Sequence, residues 1–150
     1  YLNALEETRA VLADGWFKTG DLVTVSPEGF VQIMGRKRER ILRGGYSVFP
    51  QEVERVLLAH PAIAEAAVVG VPSADLNEEV AAFVTLKPGA AAGADELSRY
   101  CQEHLAHFKF PRHIVILDEL PKGAAGKVIK AELLKGRYWS QPQRKPEHAA

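Results

Sequence analysis

The 150-residue chain contains one cysteine, Cys101. A lone cysteine excludes an intrachain disulfide and fits a reducing compartment, so a cytoplasmic protein is expected. Net charge is also absent, since 19 Lys and Arg balance 19 Asp and Glu. Bulk electrostatics therefore select neither nucleic acid nor a membrane surface as a partner. No apolar run approaches the roughly 18 residues of a membrane span, and there is no signal-peptide pattern. The chain opens at Tyr1 rather than Met. It reads as a piece of a longer protein, with a processed or trimmed start as the alternative. What remains is ordinary for a globular domain with a real core: 47% hydrophobic and 25% charged residues.

The hydrophobic pattern gives the elements. Asn3 to Ala13 reads as a helix with Asn3 as N-cap, Leu5, Thr8, Val11 and Leu12 on one face, and Asp14-Gly15 as its stop. Val23–Val25 and Phe30–Met34 are β-prone runs joined by the turn residues Ser26-Pro27-Glu28-Gly29, which is a hairpin. Pro50 to His60 is a helix opened by Pro50 and stopped by Pro61, with Val53, Val56 and Leu57 inward. Ile63 to Val71 is almost wholly apolar and reads as a buried strand, with Val80 to Leu86 as a second. Asp95 to Phe108 is an amphipathic helix, His113 to Leu117 a third strand, and Ala131 to Tyr138 a last short helix. Residues 139–150 are polar and proline-containing, a tail expected to be disordered. The order predicts an α+β domain with a mainly three-stranded sheet, a β-hairpin and packed helices over 37–138, led into by a separate piece, 1–36.

Three stretches carry the chemistry. In Trp16-Phe17-Lys18-Thr19-Gly20-Asp21-Leu22, two aromatics precede a Thr-Gly-Asp turn. Asp21 either closes that turn or accepts hydrogen bonds from two neighbouring hydroxyls, as on a ribose. The stretch from Gly35 to Pro50 packs five cations into its first nine positions and then places Gly44 beside Gly45. Cations next to bare backbone suit phosphates; a solvated strand edge followed by a turn is the plainer alternative. Pro121 to Lys130 is a Gly-rich basic loop but not a P-loop, because its glycines are too close and Val128 replaces the required Ser or Thr. It presents Lys127 either to an anion or simply to water. Cys101 belongs to the apolar face of its helix and reads as core rather than nucleophile. His104 and His107 stand three apart without an evident third ligand, so no metal site is expected.

Taken together, Asp14-Gly15-Trp16-Phe17-Lys18-Thr19-Gly20-Asp21-Leu22, the run from Gly35-Arg36 through Gly44-Gly45-Tyr46-Ser47-Val48-Phe49-Pro50-Gln51-Glu52-Val53-Glu54, and Pro121 to Lys127 resemble the closing motifs of adenylate-forming enzymes. Val68 to Pro72 and His107 to Pro111 match family runs too, in the same order. Over about residues 1 to 137 the chain resembles the carboxyl-terminal portion of an acyl-CoA synthetase.

The resemblance implies a two-step ligase. A carboxylic acid and ATP give an acyl-adenylate and pyrophosphate, and coenzyme A then displaces AMP. It implies 1–36 as the tail of a large amino-terminal adenylation domain, itself the missing partner, and 37–138 as a small mobile domain. It implies Asp21, with Arg36 beside it, on the ribose; Arg38 as hinge; Gly44 and Gly45 along the pantetheine path; and Lys127 as the adenylation lysine. Arg38 departs from the usual Lys or Asp, and Ser47 stands where Asn is common. The cofactors implied are ATP or AMP, coenzyme A, and Mg with its ligands outside this chain. The family's phosphate loop and acyl pocket also lie upstream, so the chain alone is expected not to form adenylate. The other readings are an adenylation domain that loads a carrier protein, an oxidative luciferase-like relative, and a non-catalytic binding module.

Overall fold

The computed structural model describes residues 1–139. Its centre is a five-stranded sheet built on β8 (Asn77–Leu86). β7 (Ile63–Ser73) pairs antiparallel along the whole of one side. The other side is shared: β5 (Ile41–Arg43) meets β8 at Asn77, and β9 (His113–Ile116) runs parallel to it from Ala81 to Val84. β6 (Tyr46–Val48) pairs outward from β5. A parallel pair needs a crossover, and α3 (Ala94–His104) lies within the connection from β8 to β9.

The near-continuous apolar reading of β7 and β8 has a simple cause: both faces of the sheet are covered. Side chains alternate across a strand. Val68, Val80, Ala82 and Val84 face one core with Ile41, Val48, Val53, Leu57, Leu97 and Cys101, drawn from β5, β6, α2 (Pro50–Ala59) and α3. Ala67, Val69, Val71, Ala81 and Phe83 face a second core closed by Leu120, Leu133 and the rings of Tyr138 and Trp139. Trp139 stands edge-on to both Phe83 and His113. The tail expectation otherwise concerns 140–150, which lie outside the described residues.

Several expectations are corrected. The sheet has five strands, because the stretch after Arg40 is itself a β-hairpin. Ile41 and Val48 are buried opposite each other, and Gly44-Gly45 forms a two-residue turn with φ +53° and +86°. Positive φ at both turn positions matches the right-handed twist of the strands. The first helix, α1, spans only Leu5–Val11 and buries no residue. Ala4, not Asn3, is its N-cap, and Asn3 has φ +56°. With no partner for its apolar stripe, α1 stops early. Leu12–Ala13 (β1) instead folds back on Trp16–Phe17 (β2) about Asp14-Gly15, again with positive φ at both. α3 ends at His104 because Leu105 turns extended and Ala106 to Lys109 form a separate turn before Pro111. The last helix, α4, covers only Lys130–Leu133 and gives way to turns around Gly136.

The predicted hairpin forms as β3 (Asp21–Val25) and β4 (Val31–Arg36), with Val25 opposite Val31 and a bulge after Leu22. It ends at a 3₁₀ turn, Lys37–Glu39, which leads into β5.

Candidate functional site

Pairing β3 with β4 sets Asp21 opposite Arg36. Arg36 Nε lies 2.8 Å from Asp21 Oδ1, and Arg36 Nη1 donates to the Thr19 carbonyl at 3.4 Å. The Thr19 hydroxyl accepts the Asp21 N–H at 3.1 Å, which fixes the Asp21 backbone at the end of the Thr-Gly-Asp turn. The Thr19 hydroxyl, rather than the Asp21 carboxylate, makes the contact that closes the turn, and the carboxylate stays partly exposed. Beside it, Lys18, Thr19, Gly20, Arg36, Lys37 and Arg38 line an open concavity of about 500 Å³. Val11 completes the lining, so four of its seven residues are cations. A carboxylate that accepts from hydroxyls, next to a cluster of cations, is a donor set that suits a sugar carrying phosphate.

Gly44 and Gly45 are placed elsewhere, at the tip of the β5–β6 hairpin. Gly44 is held by its neighbour: its N–H donates to the Leu76 carbonyl at 2.9 Å, and a Cβ there would meet Leu76 Cδ2 at 3.1 Å. A Cβ on Gly45 would meet nothing within 4 Å, so its backbone is open to approach. The exposed ring of Tyr46 beside it stacks on Phe108 at 4.6 Å. Lys109, next to Phe108, is fixed by Glu52 of α2 at 2.7 Å. The hairpin is anchored to the body by Arg43, whose guanidinium makes a two-point ion pair with Glu79 of β8, the Nη2–Oε2 contact being 3.0 Å.

Lys127 is exposed on a third feature, a closed loop. Its carbonyl accepts the Gly123 N–H at 2.9 Å, Gly126 has φ +73°, and Lys122 pairs with Val128 across the neck. The loop is therefore a fixed hairpin-like turn with Ala124 and Ala125 at its tip and Lys127 near its neck, across from Gly123. Lys127 is not among the residues lining the Asp21 concavity. The expected site residues thus fall in three places: Asp21, Arg36 and Arg38 together, Gly44 with Gly45, and Lys127 apart.

Cys101 is fully buried, and burial pushes its thiol up to about 11, which leaves it protonated and inert. Among the described residues no group of three or more His, Cys, Asp or Glu is placed to hold a metal ion. Nor does any helix there have the length and apolarity to cross a membrane. Sequence reasoning passed over Lys130, which pairs with Glu39 and Glu54. No local pattern announces that contact, because Lys130 and Glu39 are 91 positions apart.

Comparison with known proteins identifies the family. The family described as the AMP-binding enzyme C-terminal domain matches residues 52–127, half of the chain. A long-chain-fatty-acid–CoA ligase of Bacillus subtilis is 46% identical over 89% of the chain, which corresponds to 24% of that protein. A 2-succinylbenzoate–CoA ligase of a Geobacillus species is 37% identical over 89% of the chain and 27% of its own length. Among solved structures, O-succinylbenzoate coenzyme A synthetase from Bacillus subtilis in complex with AMP has a TM-score of 0.82 at 38% identity, over 90% of this chain and 27% of that one. The chain spans about a quarter of the length of the relatives it matches. It belongs to the AMP-binding enzyme C-terminal domain family, and its relatives there are acyl-CoA ligases whose carboxyl-terminal portion it matches.

Proposed function

We propose that the chain is the mobile end of an AMP-forming acid–coenzyme A ligase. In the first step a carboxylate oxygen attacks the α-phosphorus of ATP, and pyrophosphate leaves. In the second the coenzyme A thiol attacks the acyl carbon, the bond to AMP breaks, and AMP leaves with that bond's electron pair. The observation that carries this reading is the placement of three separate features, a cation-lined concavity beside Asp21, a Gly-Gly turn open at Gly45 and a closed Gly-rich loop that carries Lys127, in one chain of this family.

The roles follow from the chemistry each feature offers. Residues 1–36 form the end of the large domain, and 37–138 the domain that swings. Asp21 accepts from the ribose hydroxyls, and Arg36 holds it in orientation. Arg38 is the hinge. Gly45, with room beyond its backbone, and Gly44 border the pantetheine path. Lys127 brings one positive charge between the acid carboxylate and the α-phosphate, both anionic, so that they can approach. Magnesium, whose ligands would belong to the upstream domain, offsets the phosphate charge when bound. The acid is chosen upstream of this chain.

The test uses the natural full-length protein and a panel of carboxylic acids. Pyrophosphate release should depend on an acid, and AMP release should rise further with coenzyme A. The chain of 1–150 alone should give neither product. If no acid yields a thioester, or if a carrier-bound pantetheine is accepted and coenzyme A is not, the ligase reading falls.

A further inference from the structure

Lys130 opens α4 three residues beyond Lys127. Its ammonium donates to Glu39 Oε2 at 3.0 Å and to Glu54 Oε1 at 2.8 Å. Those carboxylates come from distant parts of the chain: Glu39 closes the 3₁₀ turn that holds Arg38, and Glu54 lies in α2. Glu54 Oε1 also accepts the Val68 N–H of β7 at 2.8 Å. One lysine therefore ties the turn to a helix and, through Glu54, to the sheet. All three side chains are largely sheltered, with 25%, 33% and 17% exposure for Lys130, Glu39 and Glu54. Charge pairs with that much shelter keep more of their attraction than surface pairs do. The backbone on the other side is fixed as well, since the Ile129 N–H donates to the Pro121 carbonyl at 2.8 Å across the neck of the Lys127 loop.

The opposite end of the 3₁₀ turn is held by the other part of the chain. Lys37 N–H donates to the Gly20 carbonyl at 2.8 Å, and Arg36 pairs with Asp21. By hydrogen bonds and ion pairs the chain up to Lys37 is tied to the β3–β4 hairpin and from Glu39 onward to the small domain, although buried Gly35 of β4 also lies against Phe49. Arg38 alone lies between the two attachments.

We infer that Lys130 is a positioning residue for the first half-reaction. Its clamp on Glu39 makes the small domain a rigid body as far as residue 39, confines rotation to Arg38, and keeps the Lys127 loop in step with the hinge. This rests on the roles proposed above for Arg38 and Lys127.

The clamp can be read in the 1–150 chain by backbone order parameters. In the unmodified chain residues 39 and 40 should sit in the rigid range, about 0.85, like β5. In Lys130→Met and Glu39→Ala they should fall toward about 0.6, with β7 and β8 unchanged, and Lys130→Arg should hold the rigid value. Glu39→Ala keeps the Lys130–Glu54 pair, so it answers the question even if Lys130→Met unfolds. In the full-length enzyme Glu39→Ala should slow adenylate formation several-fold without raising the KM for ATP. Unchanged order parameters in Glu39→Ala, or a loss spread equally over α2 and β7, would overturn the inference. The two readings fail separately. Lys127→Ala without effect on adenylation sinks the functional reading. A defective Lys127→Ala beside an unaffected Glu39→Ala sinks only the role of Lys130.

Discussion

Asp21 and Arg36 face each other across β3 and β4, and Arg36 Nε approaches Asp21 Oδ1 to 2.8 Å. Arg36 lines the cationic concavity and Asp21 stands beside it, with the Arg36 side chain 48% and that of Asp21 23% exposed. So exposed a pair contributes little to folding. Asp21→Asn in the 1–150 chain should cost at most about 1 kcal/mol, read as a small shift of the urea midpoint. In the full-length enzyme the same change should raise the KM for ATP about tenfold or more, because a carboxylate that accepts from two hydroxyls loses its charge. A large stability loss with an unchanged KM would return Asp21 to the role of a turn residue.

Arg43 and Glu79 form the opposite kind of pair, with side chains only 11% and 12% exposed. Burial alone would raise the Glu79 carboxyl. The Arg43 hydrogen bond, the Val80 N–H and the charges of Arg43 and Arg112 outweigh it and hold Glu79 below the ordinary 4.5. A carboxyl lowered in the fold contributes stability that is present above 4.5 and is lost as pH falls through the lowered value. His113 acts at a higher pH. Burial lowers it below 6.5 despite the nearby Glu79 charge, so its contribution is lost as pH falls from 6.5 through the lowered value. Urea midpoints along a descending pH series should show both declines. Glu79→Gln should flatten the acid one, and His113→Gln the earlier one. Glu79→Ala, which strands a buried guanidinium, should cost about 3–5 kcal/mol at neutral pH. A loss below 1 kcal/mol would mean that Arg43 finds water instead.

How much of this was legible depended on whether the informative residues were neighbours in sequence. β7, β8 and β9 were readable because Val68–Val69 and Val80–Val84 are apolar on both faces. α2 was readable because Pro50 and Pro61 bracket it and Val53 and Leu57 keep helical spacing. β5 and β6 were hidden behind the cations from Arg36 to Arg43, although Ile41, Val48 and the two glycines between them carry an ordinary hairpin signal. The charges of that stretch are its most visible feature, but its two buried residues, Ile41 and Val48, decide its shape. Helix ends were misplaced where packing ran out, as for α1 with no buried residue. In the site, Asp21 and Arg36 were found through their motif, but their contact depends on strand register. The Lys130–Glu39 contact depends on how α4 meets the turn, which no local pattern encodes.

Arg38 lies at the middle of the 3₁₀ turn Lys37–Glu39. Proline there fixes φ near −65° and also pushes the preceding Lys37 away from helical geometry. The turn should therefore be restricted to a narrow set of orientations. With both half-reactions of the full-length enzyme measured separately, Arg38→Pro should lower one at least about a hundredfold more than the other, because a locked hinge serves one pose at the expense of the second. The thermal midpoint should change little, since Arg38 is exposed. Equal loss of both half-reactions together with unfolding would make Arg38 a structural residue and move the hinge elsewhere.

Lys127 decides between a catalytic loop and an ordinary surface turn. Its ammonium is exposed while its backbone is held, the Gly123 N–H bonding its carbonyl at 2.9 Å. The backbone is thus positioned in advance while the side chain stays exposed, which suits an anion that arrives from outside. In the full-length enzyme Lys127→Ala should remove the charge that brings carboxylate and α-phosphate together. A single preorganised contact of this kind is worth about 3–4 kcal/mol, or roughly a hundred- to a thousandfold in rate. The loss should fall on adenylate formation. Supplied with preformed acyl-adenylate, the variant should transfer the acyl group to coenzyme A at close to the normal rate, if the thiol step uses the Gly44–Gly45 face as proposed. Folding should be unaffected, since the side chain leaves no cavity when removed. Lys127→Arg should recover only part of the rate, as a wider planar fork replaces a point charge. An equal fall in both steps of a folded enzyme would deny Lys127 a step-specific role, and no fall in either would leave it a solvated lysine on a well-made turn.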